Sequence, residues 1–279
     1  MTFDRRRVPV NDRVVAQHLA GAFPDRMPVA PEPALIVRPV ADILSAPGGA
    51  RDRQVLLGQR FDVLERRDGH AFGWAPASSY VGWVAEAALA GGASEQGTVS
   101  LIRARQSHAY ARPDFKSPEQ LALPHGAGVH VRAYEGRFAE TSHGWIPQAH
   151  LAPDIRDPVD TALIYLGTPY LWGGNSCWGI DCSGLVSAAF CGRGVPVPGD
   201  SDQQLAELGQ ALPADAPVQR GDLFFWKGHV GLIEDADTLL HANAHHMAVV
   251  REPLQAAIAR IADQGDGPVI GRRRVTLPA

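Results

Sequence analysis

The sequence predicts an α+β protein of several domains, strand-rich through its first half and closing with helices followed by an antiparallel sheet. Three observations carry this. From residue 34 to residue 153 short apolar stretches recur with turn residues between them, the pattern of small β-barrels. Residues 158–190 then show helix signals, with Pro158 opening an apolar stretch and Asp181 standing just ahead of another. Residues 221–242 return to three short strands separated by Lys227-Gly228 and Asp235-Ala236-Asp237. Helices first and antiparallel strands after them is the α+β order.

Taken in order, residues 1–33 read as an N-terminal arm. Residues 14–20 suggest a short helix closed by Gly21, and Pro24, Pro28, Pro31 and Pro33 punctuate an extended tether. Residues 34–92 form the first expected barrel, with strands at 35–37, 55–57, 61–65 and 80–84. Pro47-Gly48-Gly49 and Arg67-Asp68-Gly69 supply turns. Gly91-Gly92-Ala93-Ser94 marks a linker. Residues 97–154 form a second barrel, with strands at 99–102, 128–131 and 138–141. Its closing Gly144-Trp145-Ile146 echoes Gly82-Trp83-Val84 of the first, which suggests an internal duplication.

Residues 155–279 form the last domain. A helix is expected over 158–166 with Gly167 at its end, and a second begins at or beside Cys182 behind Asp181. A third spans 202–209 with Ser201 as its cap, and a fourth spans 254–261. Strands at 221–226, 229–233 and 238–242 precede 249–252, and 269–273 closes the sheet.

Bulk properties bound the function. A chain of 279 residues is long enough for one to three domains. Its net charge, 26 − 30 = −4, does not describe a general nucleic-acid binder. No run is long enough to span a membrane. Three cysteines make no disulfide scaffold. Behind Arg5-Arg6-Arg7, Val8-Pro9-Val10 is broken by Asn11-Asp12-Arg13, so no secretory signal is read and a cytoplasmic location is expected.

The chemistry concentrates at Asp181-Cys182-Ser183-Gly184. A thiol at a helix start lies near unpaired backbone N–H groups and the positive end of the helix dipole, both of which favour the thiolate. Cys182 is therefore the candidate nucleophile. His229 and His241 fall on neighbouring strands about the 235–237 turn and can share one face. His229 would take the thiol proton while His241 fixes the tautomer and tilt of its ring. Cys177 and Cys191 read as small buried hydrophobes. His18, His70 and His125 read as core or surface residues, and His245-His246 as turn residues.

Pro169-Tyr170-Leu171-Trp172-Gly173-Gly174, Gly179-Ile180-Asp181-Cys182-Ser183-Gly184-Leu185, Gly221-Asp222-Leu223 and His229-Val230-Gly231 resemble the motifs of the NlpC family of papain-like cysteine peptidases. The first barrel, through Gln54-Val55-Leu56-Leu57-Gly58-Gln59, Gly73-Trp74 and Tyr80-Val81-Gly82-Trp83-Val84, resembles a bacterial SH3 domain. The resemblance implies a papain-like last domain behind two SH3-like barrels. It also implies hydrolysis of the γ-D-glutamyl–diamino acid bond of murein peptides with a free N-terminal L-alanine, without cofactor or metal. It assigns substrate contacts to Tyr80, Tyr170, Trp172, Asp181, Ser183 and Ser201, with Asp181 the anionic partner of the ammonium. Gln59 stands where relatives often carry glutamate. Two rival classes are a non-catalytic binder of cell-wall peptide or glycan, and a metal hydrolase with Cys and His ligands. Against the second, Cys177, Cys182 and Cys191 lack the close pairing usual of zinc ligands.

Overall fold

The computed structural model describes residues 3–91, 97–151 and 157–278; positions 92–94 of the expected linker and the boundary at 154–155 lie outside the described residues. The chain divides into two compact units, Met1–Pro153 and Asp154–Ala279.

The first unit opens with β1 (Val14–Ala16), paired in parallel with β2 (Met27–Val29). No helix spans 14–20; a 3-10 helix, Gln17–Ala22, begins only after the strand. The β-branched pair Val14-Val15 suits extended backbone. Val14 and Ala16 are also buried against Leu64, Phe72, Val81 and Trp83, so the arm belongs to the core of this unit.

Seven antiparallel strands follow: β3 (Glu32–Ile36), β4 (Val40–Leu44), β5 (Arg51–Leu56), β6 (Arg60–Arg67), β7 (His70–Ala75), β8 (Tyr80–Ala85) and β9 (Leu89–Gly91). Their order is β5-β4-β8-β7-β6-β3-β9. A second sheet contains β10 (Thr98–Leu101), β11 (Gln106–Tyr110), β12 (Glu119–Pro124), β13 (Gly128–Glu135), β14 (Phe138–Thr141) and β15 (Gly144–Pro147). Its order is β10-β13-β14-β15-β11-β12. Counted along the chain, both sheets run third-second-sixth-fifth-fourth-first, with β9 added at the edge of the first. In each, the second strand meets the sixth at one pair beside a bulge: Leu44↔Trp83 and Tyr110↔Trp145. The tryptophans of the two echoing motifs thus hold equivalent places, which is what a duplication produces.

A bulge bends its strand, and here it folds each sheet over its own core. Ile36, Ile43, Phe61 and Tyr80 fill the first; Ile102, Leu123, Val129 and Ile146 fill the second. Among the described residues no pairing closes either sheet, so the expected barrels are bent open sheets. Leu57 joins the second core, and Gly58 (φ 78°) passes so near the Gly128 backbone that a side chain there would collide with it.

The second unit begins with α1 (Pro158–Leu163), capped by Asp157, whose side chain accepts from the N–H of Asp160. It stops before the expected Leu166 because the chain tightens: Tyr165 and Leu166 donate to Ala162 and Leu163, three residues back. A small hairpin, β16 (Asn175–Ser176) and β17 (Gly179–Ile180), leads into α2 (Cys182–Ala189). Then come α3 (Ser201–Glu207), β18 (Gln210–Ala211), β19 (Leu223–Trp226), β20 (His229–Asp235), β21 (Thr238–Asn243), β22 (Ala248–Pro253), α4 (Leu254–Ile261) and β23 (Gly271–Arg274). Asp200, not Ser201, caps α3, in a capping box with Gln203.

The six strands form one sheet, β18-β23-β19-β20-β21-β22, antiparallel throughout. Alternation sends Leu223, Phe225, Leu232 and Leu240 to one face, into a core shared with Leu185, Val186 and Ala189 of α2. Phe224, Trp226, Ile233 and Leu239 face the other way, against Leu254, Ala257 and Ile261 of α4.

Asp222 ties the sheet together. Its fully buried carboxylate accepts from Arg274 Nε at 2.7 Å, Arg274 Nη2 at 2.9 Å and the N–H of Gln219 at 2.9 Å. Arg272, also buried, lies 3.8 Å away and stacks over Phe224. Replacing Asp222 with Ala leaves that guanidinium without its counter-charge. The expected loss is about 3–5 kcal/mol of stability, read as a lower denaturant midpoint at unchanged slope.

Candidate active site

The loop ahead of α2 and the first turn of that helix are held by one carboxylate. Asp181 is buried, its Oδ2 accepting from the N–H of Gly173 at 2.9 Å. Its Oδ1 accepts from the N–H of Gly184 at 2.6 Å and from Ser183 Oγ at 3.1 Å. The acidic side chain therefore caps the helix while closing the glycine loop. Gly184 presses so close that an added Cβ would lie 2.7 Å from Asn175 Oδ1. Cys182 is the first residue of α2, 7% exposed, where unpaired N–H groups favour negative charge on its sulfur.

The helix packs on β20 and β21, the strands that carry the two histidines. Asp235↔Thr238 closes the hairpin between them. His229 Nε2 lies 2.9 Å from His241 Nδ1, with the ring centroids 5.1 Å apart. Gly231 makes the approach possible: a Cβ there would lie 2.7 Å from the Leu239 side chain and 3.2 Å from His241 Cβ.

Behind the pair, His241 Nε2 lies 3.0 Å from Glu252 Oε2 and 3.0 Å from Asn243 Nδ2. Arg260 grips Glu252 with both ends of its fork, Nε to Oε1 at 2.8 Å and Nη2 to Oε2 at 2.7 Å. Burial pulls the imidazole of His229 down to about 3, with His241 and Arg260 adding and Glu252 opposing. Burial likewise pulls His241 down to about 4, against the pull of Glu252. The hydrogen bonds from Arg260 hold Glu252 down to about 2. At neutral pH both rings are neutral and the carboxylate is charged, so one nitrogen of each ring is unprotonated. A pocket of about 180 Å³ opens beside the pair, lined by Tyr170, Lys227, His229, Asn243, His245 and Arg260 among others.

Residues 167–260 match the NlpC/P60 family, and residues 43–89 match the bacterial dipeptidyl-peptidase Sh3 domain. The chain carries an NlpC/P60 domain. It is similar to the gamma-D-glutamyl-L-lysine dipeptidyl-peptidase of Bacillus subtilis (strain 168), 36% identical over 114 residues, 38% of this chain and 38% of the relative. It is also similar to dipeptidyl-peptidase 6 of Lysinibacillus sphaericus, 42% identical over 89 residues, 30% of this chain and 31% of the relative. The matches thus span about a third of these relatives' lengths. In fold it is similar to an NlpC/P60 family protein from Bacillus cereus ATCC 10987, with TM-score 0.70 and 19% identity over 88% of this chain and all of that one. The cysteine, the two histidines and the loop described above all lie in the matched segment.

Within that domain the loop and α2 gather Tyr170, Trp172, Asp181, Cys182 and Ser183. Tyr170 is half-buried on the main core, and Trp172 is 69% exposed. Ser201, first residue of α3, is brought near by Gln204, whose Nε2 donates to the carbonyls of Ser183 at 3.0 Å and Pro198 at 2.9 Å. Tyr80 lies in the other unit, buried in the core of its seven-stranded sheet. Gln59, in the same unit, accepts from the N–H of Leu56 through Oε1 at 2.9 Å, so its side chain braces a turn. His245 and His246 do lie on a turn, joined to Gln264 and Asn243 respectively.

Sequence reasoning missed Gln204, Asn243, Glu252 and Arg260. A signal for Glu252 existed: antiparallel pairing of 238–243 with 248–253 sets Glu252 diagonal to His241 on one face.

The two lowered histidines make stability pH-dependent. Between about 6.5 and about 4 the unfolded chain takes up protons that the folded chain refuses, so stability falls as acid is added. Glu252, lowered to about 2, extends the loss further down. Thermal midpoints are expected to drop steadily from pH 6.5 to pH 4, and a His241→Asn variant is expected to show a flatter profile.

Proposed function

We propose that this protein is a cysteine endopeptidase that hydrolyses the γ-D-glutamyl–diamino acid bond of murein peptides. The observation that carries the reading is the 2.9 Å contact between His229 and His241 on strands packed against the helix that Cys182 begins. The names of the relatives, which specify γ-D-glutamyl-L-lysine, support the choice of bond.

In the proposed reaction Cys182 loses its proton to His229 and its sulfur attacks the γ-carbonyl carbon of D-glutamate. The backbone N–H of Cys182, at the helix start, helps to hold the resulting oxyanion. His229 returns the proton to the departing amine of the diamino acid, leaving a thioester. Water then attacks the thioester, giving its proton to His229, and the acid leaves as the thiol is restored. His241 keeps the His229 ring oriented throughout.

For substrate, Asp181 would face the free ammonium of an N-terminal L-alanine, in addition to the groups it already accepts from. Tyr170, Trp172, Ser183 and Ser201 would line the same pocket. The preferred substrates are thus short peptides with an open end.

Incubation with L-Ala-γ-D-Glu-L-Lys or its diaminopimelate counterpart, followed by mass spectrometry, is expected to release L-Ala-D-Glu and the free diamino acid. Cys182→Ala is expected to lower the rate by a factor on the order of 10³ or more, and equal rates in the two proteins would overturn the proposal. N-terminal acetylation of the peptide tests the ammonium contact separately.

A further inference from the structure

We infer that Glu252, gripped by Arg260, is a positioning residue that decides which ring nitrogen of His229 is free to take the thiol proton. The inference rests on the reading of Cys182 and His229 as nucleophile and base, and it follows from which atoms along the row can bear hydrogen.

Arg260 has only donors, and a carboxylate it grips with two hydrogen bonds is an acceptor alone. The atom facing Glu252 Oε2 is His241 Nε2, 3.0 Å away, so that nitrogen carries the hydrogen. A neutral imidazole has one N–H, which leaves His241 Nδ1 as an acceptor. Opposite it, at 2.9 Å, stands His229 Nε2, which must therefore donate. His229 Nδ1 is then the unprotonated nitrogen, the one able to receive a proton. The same order persists after His229 is charged, because Nε2 keeps its hydrogen and only Nδ1 gains and loses one.

Asn243 makes the carboxylate decisive. Its Oδ1 accepts from the N–H of His246 at 2.8 Å, which turns its Nδ2 toward His241 Nε2 at 3.0 Å. An amide N–H pointing at that nitrogen favours the opposite arrangement, with Nε2 bare and Nδ1 protonated. In that arrangement His229 Nε2 would have to accept, and His229 Nδ1 would hold the hydrogen and be useless as a base. The two neighbours of His241 Nε2 thus ask for different tautomers, and the charged one prevails. Without the charge at 252, the asparagine reverses the row.

The test combines spectroscopy with kinetics. Imidazole ¹⁵N shifts at neutral pH in Cys182→Ala, where no thiolate can charge His229, are expected to show His229 and His241 both as the Nε2–H form. Adding Glu252→Gln is expected to convert both to Nδ1–H. In the enzyme with its cysteine intact, Glu252→Gln is expected to lower kcat about 10²- to 10⁴-fold with KM within about threefold. An Nδ1–H form of His229 in Cys182→Ala would overturn the inference. So would unchanged tautomers, or an unchanged kcat, in the Glu252→Gln protein. The Cys182→Ala spectrum decides the proton order even if Glu252→Gln fails to fold. That spectrum is independent of whether the wild type cleaves the proposed peptide, so failure of the functional reading and failure of this inference are told apart.

Discussion

A buried carboxylate is stable only while enough donors face it, and Asp181 turns that requirement into architecture. Its oxygens collect N–H groups from Gly173 in the loop and Gly184 in the helix, together with the Ser183 hydroxyl. Each donor offsets part of the cost of burying that charge, and together they give the loop, the helix start and the cysteine between them one geometry. The glycines of this region serve that closeness, since Gly184 lies where no side chain fits against Asn175.

The sheet side of the site is ordered by other means. Two histidines, an asparagine and a glutamate sit on one face of three neighbouring strands, and α4 returns an arginine to the glutamate. Burial keeps both rings neutral, while the Arg260–Glu252 pair places a fixed charge at the far end. One half of the site is thus shaped by a helix cap and the other by a hydrogen-bond row anchored on an ion pair. On the other face of the sheet, α2 packs on β20 and β21 through Leu185, Val186 and Ala189.

Where sequence sufficed, the determinant was local. Asp181 ahead of Cys182 is a capping signal read within four residues, and the Asp235-Ala236-Asp237 turn sets His229 and His241 on neighbouring strands. Where it failed, the determinant was distant. Gln106-Ser107-His108-Ala109-Tyr110 has little intrinsic strand character and becomes a strand because partners flank it on both sides. Val14 to Ala16 have a place in a core and so become a strand rather than a helix. The cap of α3 moved to Asp200 because only there does Gln203 complete the reciprocal pair. Glu252 and Arg260 were passed over because an ion pair formed across a strand and a helix has no signature in either segment alone.

His229, His241, Asn243, Glu252 and Arg260 succeed one another along a hairpin, one further strand and a helix, without interruption. Contacts between near neighbours in the chain form early and cheaply in entropy, whereas α2 reaches the sheet from far upstream. On the proposed reading, the proton acceptor is therefore prepared in advance and the thiol is the last partner to arrive. On the same reading, a chain still being synthesised would hold an ordinary cysteine, whose reactivity would arise when the helix docks rather than by any change in the residues themselves.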